Sequence, residues 1–429
     1  MALRDLLADT RPLANPHFRR LWTAQIITVI GAQLTVVAVP AQIYAITGSS
    51  LYVGLTGVFG LVPLVVFGLY GGALADHFDR RLVLLVTTVG LIVTSALFWV
   101  QAALGLQDVW LLLWLFAIQQ AFFAVNSPTR SAILPRLLPA GQLPAANALS
   151  TTVFQAGAIA GPLVGGALIP LLGYTWLYAV DTVTLLATLV AVVRLPAMPV
   201  VVETAGSLLG RAPGLRSVVE GFTYLRGRPV LLMSFVVDIV AMVFGMPRAL
   251  FPEIAHLSFG GPEEGGLEFA LLFAAIPAGA VLGGIFSGWL SRVERQGRAV
   301  LWCITVWGLG IVGFGLCVFL ADGSAPVVLV VGLVFLAVAG AADVASSAIR
   351  GAILQTAAED SLRGRLQGVF TVVVVGGPRV ADVAHGSAAA MVGAAAATTG
   401  GGVLVVLGMV VCALAAPAFV RYRVQHRSR

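Results

Sequence analysis

Apolar runs of about 20 residues recur along the whole chain, separated by short stretches that carry most of its charge. Twelve such runs can be read, at 21–46, 51–75, 82–104, 109–132, 145–171, 174–195, 230–251, 267–290, 299–320, 326–348, 366–394 and 400–420. As α-helices they are long enough to cross ~30 Å of hydrocarbon. Strict apolar/polar alternation, the mark of a membrane strand, is rare. Backbone polar groups in lipid must be satisfied within the segment, so the pattern predicts helices. The expected fold class is an all-α membrane protein with twelve transmembrane helices.

Composition agrees with a lipid solvent. The 429 residues are 59% hydrophobic and 10% charged, against about 25% charged in soluble domains, and the mean hydropathy is +0.99. Cys303, Cys317 and Cys412 lie inside apolar runs and predict neither a disulfide framework nor a metal site. The first 20 residues lack a short apolar core with a small-residue cleavage site, so no cleaved signal peptide is expected. All 25 basic residues are Arg. Without Lys there is no Walker A phosphate site and no Schiff-base chemistry. His17, His77, His256, His385 and His426 are scattered without metal-ligand spacing. With no nucleophile–base constellation either, an enzyme is the weakest reading. The net charge of +6 calls for no nucleic-acid partner, because Arg beside helix ends suits anionic lipid headgroups.

The arginines set the topology. With both termini in the cytoplasm, 23 of the 25 fall in the two tails or in inner loops; Arg248 and Arg379 are the exceptions. Asp108, Glu253, Glu263, Glu264 and Asp322 then lie outside. The expected location is the bacterial inner membrane, with the bilayer as the surrounding partner.

An Arg-rich stretch divides the chain into an N-terminal six-helix bundle (1–195), a cytoplasmic linker (196–229) and a C-terminal six-helix bundle (230–429). Within the linker, 218–225 reads as an ordinary linker helix or as an amphipathic helix on the inner surface. The halves echo one another. Gly72-Ala73-Leu74 recurs as Gly288-Trp289-Leu290 after 216 residues, and Arg130-Ser131-Ala132-Ile133-Leu134 recurs as Arg350-Gly351-Ala352-Ile353-Leu354 after 220. Two pseudo-symmetric six-helix repeats are a transporter plan, with the substrate site between the halves.

Gly71-Gly72-Ala73-Leu74-Ala75-Asp76-His77-Phe78-Asp79-Arg80-Arg81 resembles the loop signature between the second and third helices of the major facilitator superfamily. Asp79 stands where many members have Gly. The second-half copy, Gly288 to Arg298, carries Arg292 in place of Asp76. Residues 40–44, 273–280 and 362–368 resemble segments of the enterobactin exporters and their relatives, which are proton-driven drug or siderophore exporters. The resemblance implies the major facilitator fold and a cytoplasmic gate built from Gly72, Asp76, Arg80, Arg81, Gly288, Arg292 and Arg298. The alternative for the basic residues is that they only obey the charge rule. Gly157, Gly161, Pro162 and Gly165 resemble the fifth-helix motif of drug–proton antiporters. Close helix packing is the alternative reading of those glycines.

Four acids fall inside apolar runs: Asp181, Asp238, Asp343 and Asp382. A charged Asp at the bilayer centre costs roughly 2.5–3.5 kcal/mol, so each is a functional candidate, although Asp181 and Asp343 lie closer to helix ends, where reaching water is the alternative reading. Asp238 has no charge within a turn on its own helix and is the leading expected proton carrier; a pair with an Arg from another helix is the alternative. Asp382 follows Arg379 by three residues, which predicts an ion pair on one helical face. Gly376-Gly377-Pro378 is expected to break helix eleven and turn Arg379 toward an anionic or hydrogen-bonding substrate group. Gln119, Gln120, Gln155 and His385 are lesser cavity candidates.

The expected function is a secondary transporter, monomeric and free of cofactors, that couples the proton gradient to export of a small amphipathic compound. An importer of a small metabolite and a non-transporting receptor or scaffold stay open as alternatives.

Overall fold

The computed structural model describes residues 9–198, 225, 227–321, 323, 326–357 and 363–423, and their side chains apart from those of 69–77, 140, 291, 355–357 and 363–375. Every regular element among the described residues is helical. The long helices are α1 (Pro16–Thr47), α2 (Ser50–His77), α3 (Arg80–Ala103) and α4 (Val109–Leu137). A run at Leu143–Val193 follows. Then come α7 (Pro229–Gly245), α8 (Leu267–Ile285), α9 (Gln296–Leu320), α10 (Pro326–Ala357), α11 (Arg363–Val392) and α12 (Ala394–Ala415).

The run of 51 residues is two crossings. Gly173, at φ 70° and ψ 169°, breaks it into α5 (143–172) and α6 (174–193). The left-handed region is open to glycine at no steric cost. The long helices among the described residues therefore number twelve; ten runs, the 51-residue one counted once, are long and apolar enough to cross a membrane, which is compatible with the twelve crossings that the hydropathy pattern predicts.

Polar caps fix several helix starts. Asn15 Oδ1 accepts from the His17 and Phe18 amides while its Nδ2 donates to the Leu137 carbonyl at 2.7 Å, tying the start of α1 to the end of α4. Asp79 accepts from the Arg81 and Leu82 amides, and Asp108 from those of Trp110 and Leu111. These carboxylates satisfy donors that the first helical turn leaves open.

The chain forms two compact units, Met1–Val39 with Val62–Pro213 and Pro40–Leu61 with Gly214–Arg429. The boundary differs from the expected division at the linker in one respect: 40–61 groups with the second half. Gly54 and Gly57 on α2 explain this. Side chains there would collide with the backbone of α11 at Asp382 and Arg379, so the two helices meet at backbone distance. Most of the expected linker, including 218–224, lies outside the described residues.

In the first unit α3 lies against α4 and the α5–α6 run. Leu21, Leu84, Ile133 and Val192 make a buried cluster from α1, α3, α4 and α6. In the second unit α10 packs on α8 and α9, while α7 packs on α11 and α12. Phe251 stands edge-on to Phe273 and Phe314, with centroids at 5.3 and 6.1 Å. The outward faces stay apolar, with Val86, Trp114, Leu316 and Leu414 all exposed. An exposed apolar surface on this scale fits lipid contact.

Three helix boundaries correct the sequence expectation. The span expected at 230–251 ends as α7 at Gly245, because Pro247 cannot continue it. Short turns follow it, the last a π-turn at Ile254–Ser258. The span expected at 267–290 stops at Ile285, where Gly283 and Gly284 lower helix propensity, and gives way to a 3-10 turn at Ser287–Arg292. Conversely, α11 runs unbroken through Gly376-Gly377-Pro378. Gly377 lets the Met242 side chain of α7 approach, at 2.8 Å from where a Cβ would stand. The two glycines serve packing there, not a break.

Candidate functional site

Of the expected gate residues, Gly72 and Asp76 have side chains outside those described. Arg80 and Arg81 grip carbonyls of their own half: Arg80 Nη1 donates to Ala132 at 2.8 Å and Arg81 Nη2 to Val193 at 2.6 Å. Asp79 closes the same corner, its Oδ2 accepting from the Met198 amide at 3.0 Å. The residue that replaces the family's Gly is therefore a helix cap that also anchors the chain leaving α6. Gly288 and Arg292 sit in the 3-10 turn after α8, and Arg292 and Arg298 are exposed. The second-half copy of the signature thus does not share the helical setting of the first.

The glycines of the fifth-helix motif face α1. Side chains at Gly157, Gly161 and Gly165 would meet Val29, Gln33 and Leu34 in turn. Positions four apart share one helix face, so the motif makes a close α1–α5 seam. Pro162 is buried inside α5 without breaking it.

Asp181, on α6, is buried at 1% exposure. Thr35 Oγ1 from α1 donates to its Oδ2 at 2.7 Å, and Ser95 Oγ from α3 donates to the same oxygen at 2.9 Å. Ser95 Oγ also lies 3.0 Å from Thr182 Oγ1. Asp181 Oδ1 is buried and has no hydrogen-bond partner. Among the described residues no basic side chain pairs with it. Gly31 leaves the space for this arrangement, because a Cβ there would stand 2.7 Å from the Asp181 Cα and 2.9 Å from Oδ1. A buried carboxyl held by hydroxyls alone has no fixed countercharge, so its proton is the only charge compensation at hand.

Asp238 and Asp382 are paired with arginines. The sequence predicts Asp238 as a lone carboxyl, but Arg350 of α10 reaches it with Nη1 2.5 Å from Oδ2; their side chains are 4% and 2% exposed. Arg350 Nε also donates to Ser346 at 3.2 Å. A guanidinium at this distance gives Asp238 a countercharge, so it is not the lone carboxyl that the sequence predicts. Arg350 itself is not a loop residue, as the topology reading has it, but a buried residue of α10. Asp343, seven residues earlier, lies on the same face of that helix.

Asp382 is also buried, but its nearer partner is Arg248 at 3.1 Å; Arg379 is at 4.0 Å. The expected i,i+3 pair is thus secondary to one that the sequence does not suggest, with an Arg just beyond the end of α7. His385, one turn further along α11, is buried with Nε2 3.1 Å from the Phe244 carbonyl. Gln119 and Gln120 are half-buried and Gln155 is exposed. The expected site residues therefore fall into separate groups. Asp181 belongs to the first unit; Asp238 with Arg350, and Asp382 with Arg248, Arg379 and His385, belong to the second.

The family described as transmembrane secretion effector matches residues 8–423. The enterobactin exporter of Citrobacter koseri (strain ATCC BAA-895 / CDC 4225-83 / SGSC4696) is 29% identical over 388 residues, covering 88% of this chain and 86% of the relative. That of Shigella boydii serotype 18 (strain CDC 3083-94 / BS512) is 28% identical over 385 residues with the same coverage. Among solved structures, a bacterial homologue of the iron transporter ferroportin, in an inward-facing state, matches with a TM-score of 0.69 at 13% identity, covering 95% of this chain and 99% of its own. A bacterial homologue of the human lysosomal transporter Spinster matches with a TM-score of 0.69 at 15% identity, covering 97% and 100%.

Proposed function

The chain belongs to the transmembrane secretion effector family of the major facilitator superfamily, and from that premise we propose that it drives a siderophore or similar small amphipathic compound out of the bacterial cytoplasm in exchange for protons. It is a secondary transporter and not an enzyme. In this reading it lies in the inner membrane with both termini in the cytoplasm, the orientation that follows from the arginines. The relatives' printed activity, export of enterobactin, supports the direction and the substrate class.

Asp181 is the observation that carries proton coupling. It is the buried acid that Thr35 and Ser95 hold without a cation, whereas Asp238 and Asp382 each have an Arg. A carboxyl that gains and loses a proton as the chain alternates between states couples proton entry to substrate exit. The energy is adequate: one charge crossing about 100 mV is worth ~2.3 kcal/mol. At roughly 150 mV this supports a gradient of a few hundredfold.

The test is accumulation of a siderophore and drug panel in an efflux-deficient bacterium expressing the chain, with and without an uncoupler. Lower accumulation that the uncoupler restores is the expected result. A difference that the uncoupler leaves untouched would remove proton coupling.

A further inference from the structure

Arg350 stands between two acids of the second unit. On one side is Asp238 of α7, with Oδ2 2.5 Å from Nη1. That oxygen is buried and accepts no aligned hydrogen bond, so the contact is one of charge and leaves a lone pair for a proton. On the other side is Asp343, which shares one face of α10 with Ser346 and Arg350 at i, i+3 and i+7. Arg350 Nε donates to Ser346 Oγ at 3.2 Å. This bond lays the guanidinium back along α10 toward Asp343, the direction that helical side chains favour.

Asp343 is the eighteenth of the 32 residues of α10, so it lies mid-helix and not near an end. It is half-buried and, among the described residues, makes no hydrogen bond or ion pair of its own. The charges that act on it are those of Arg350 and Asp238. The other elements packed against α10 carry Glu268 on α8, Arg292 in the turn after it, Arg298 and two cysteines on α9, and Arg379, Asp382 and His385 on α11. These are not among the charges acting on Asp343. Two carboxylates around one guanidinium leave a negative charge in excess. An uncompensated charge among apolar helices is costly, and such a group takes up a proton instead.

We propose that Asp238, Arg350 and Asp343 form a second proton-binding site, in which the two carboxyls share one exchangeable proton against the fixed charge of the guanidinium. Binding forms an O–H bond on a carboxylate oxygen with a proton taken from water, and release returns it. Asp343, the less buried acid, is the one through which it exchanges. That this proton travels against the substrate rests on the export reading above; that the trio holds it does not.

The test is the infrared carbonyl band of protonated carboxyls at neutral pH, measured on the full chain in a detergent that has no carbonyl group. Ordinary Asp and Glu are ionised there and contribute nothing to it. Asp343→Asn is expected to lose one carboxyl's share of the band, because Asp238 and Arg350 then balance. Asp238→Asn is expected to lose the same share, because Asp343 becomes the ionised partner of Arg350. The double variant Asp238→Asn/Arg350→Gln is expected to keep it, since Asp343 is then left without a cation. An undiminished band in Asp343→Asn overturns the site. An undiminished band in Asp238→Asn also overturns it, for Asp343 would then be neutral through burial alone. Should Asp238→Asn be too unstable to measure, the double variant decides: loss of the share there overturns the charge balance on which the site rests. Uncoupler-insensitive export would leave these spectra as they are and remove the coupling reading alone.

Discussion

Arg130 and Arg350 occupy the same station in the two halves of the chain. Each lies on the fourth long helix of its half, Arg130 on α4 (Val109–Leu137) and Arg350 on α10 (Pro326–Ala357). Each reaches the first helix of its own half: Arg130 donates to the Leu21 carbonyl on α1, and Arg350 pairs with Asp238 on α7. The 220-residue offset seen in the sequence therefore repeats a contact as well as a word. The partners differ in charge. The second half neutralises its arginine with a carboxylate, whereas among the described residues of the first half no carboxylate pairs with Arg130. The Arg350 contact is thus a buried ion pair, and the Arg130 contact a hydrogen bond to a backbone carbonyl.

The Asp238–Arg350 pair gives the first prediction. Asp238→Asn strands a guanidinium whose side chain is 4% exposed, and removing one partner of a buried pair costs about 3–5 kcal/mol. The unfolding temperature in nanodiscs is expected to fall sharply. The double variant Asp238→Asn/Arg350→Gln, which removes both charges, is expected to recover most of the loss. A double variant no better than the single one would break the pairing argument.

Asp181 is expected to behave differently. Asparagine keeps an oxygen for the Thr35 and Ser95 hydroxyls, so Asp181→Asn should stay within about 1 kcal/mol of the unaltered chain. It cannot exchange a proton. The expected result is normal folding with loss of the uncoupler-sensitive part of export. Full uncoupler-sensitive export by Asp181→Asn would move proton coupling elsewhere, with Asp343 as the next acid to test.

Around Asp382 the distances rank two arginines. Arg248 at 3.1 Å makes a charge-assisted hydrogen bond, while Arg379 at 4.0 Å makes only a through-space contact. Arg248→Gln is therefore expected to lower the unfolding temperature more than Arg379→Gln. The Arg248 side chain is 30% exposed, so the loss should be smaller than for the Asp238 pair. Thermal melts of the two single variants check the order; the reverse order would favour the i,i+3 pair.

Helix number was legible in the sequence because lipid demands about 20 apolar residues for each crossing. The α1–α5 seam was legible for a similar reason: Gly157, Gly161 and Gly165 recur at four-residue spacing, and a helix places such positions on one face. The partners of the buried acids were not legible. Asp238 and Arg350 are 112 residues apart, and Asp382 and Arg248 are 134 apart, so local spacing carries no trace of either pair. The Thr35 and Ser95 hydroxyls were hidden as well, since single hydroxyls are common in apolar helices and only the fold shows which of them face an acid. Pro378 misled in the other direction. A Pro inside a helix removes one hydrogen bond but does not oblige a membrane helix to break, and α11 continues through it.

The grouping of 40–61 with the second half supplies the last prediction. Gly57 lies against the Arg379 carbonyl, and a Cβ there would also come within 3.1 Å of the Asp382 Cβ. At Gly54 the added carbon would stand 2.7 Å from the Asp382 carbonyl. Those atoms are mostly backbone and cannot swing away, so Gly57→Ala must push α2 off α11. Overpacking of this kind costs about 1–3 kcal/mol. Gly68, further along the same helix, has open space around its Cα, and Gly68→Ala is the matched control. The expected outcome is a lower unfolding temperature for Gly57→Ala and none for Gly68→Ala. In addition, a cysteine cross-link between Ser50→Cys and Glu253→Cys should form less readily when Gly57→Ala is present, since Ser50 donates to Glu253 at the start of the same helix. Equal cross-linking with and without the Gly57 substitution would mean that this end of α2 is held by something other than its glycine contact with α11.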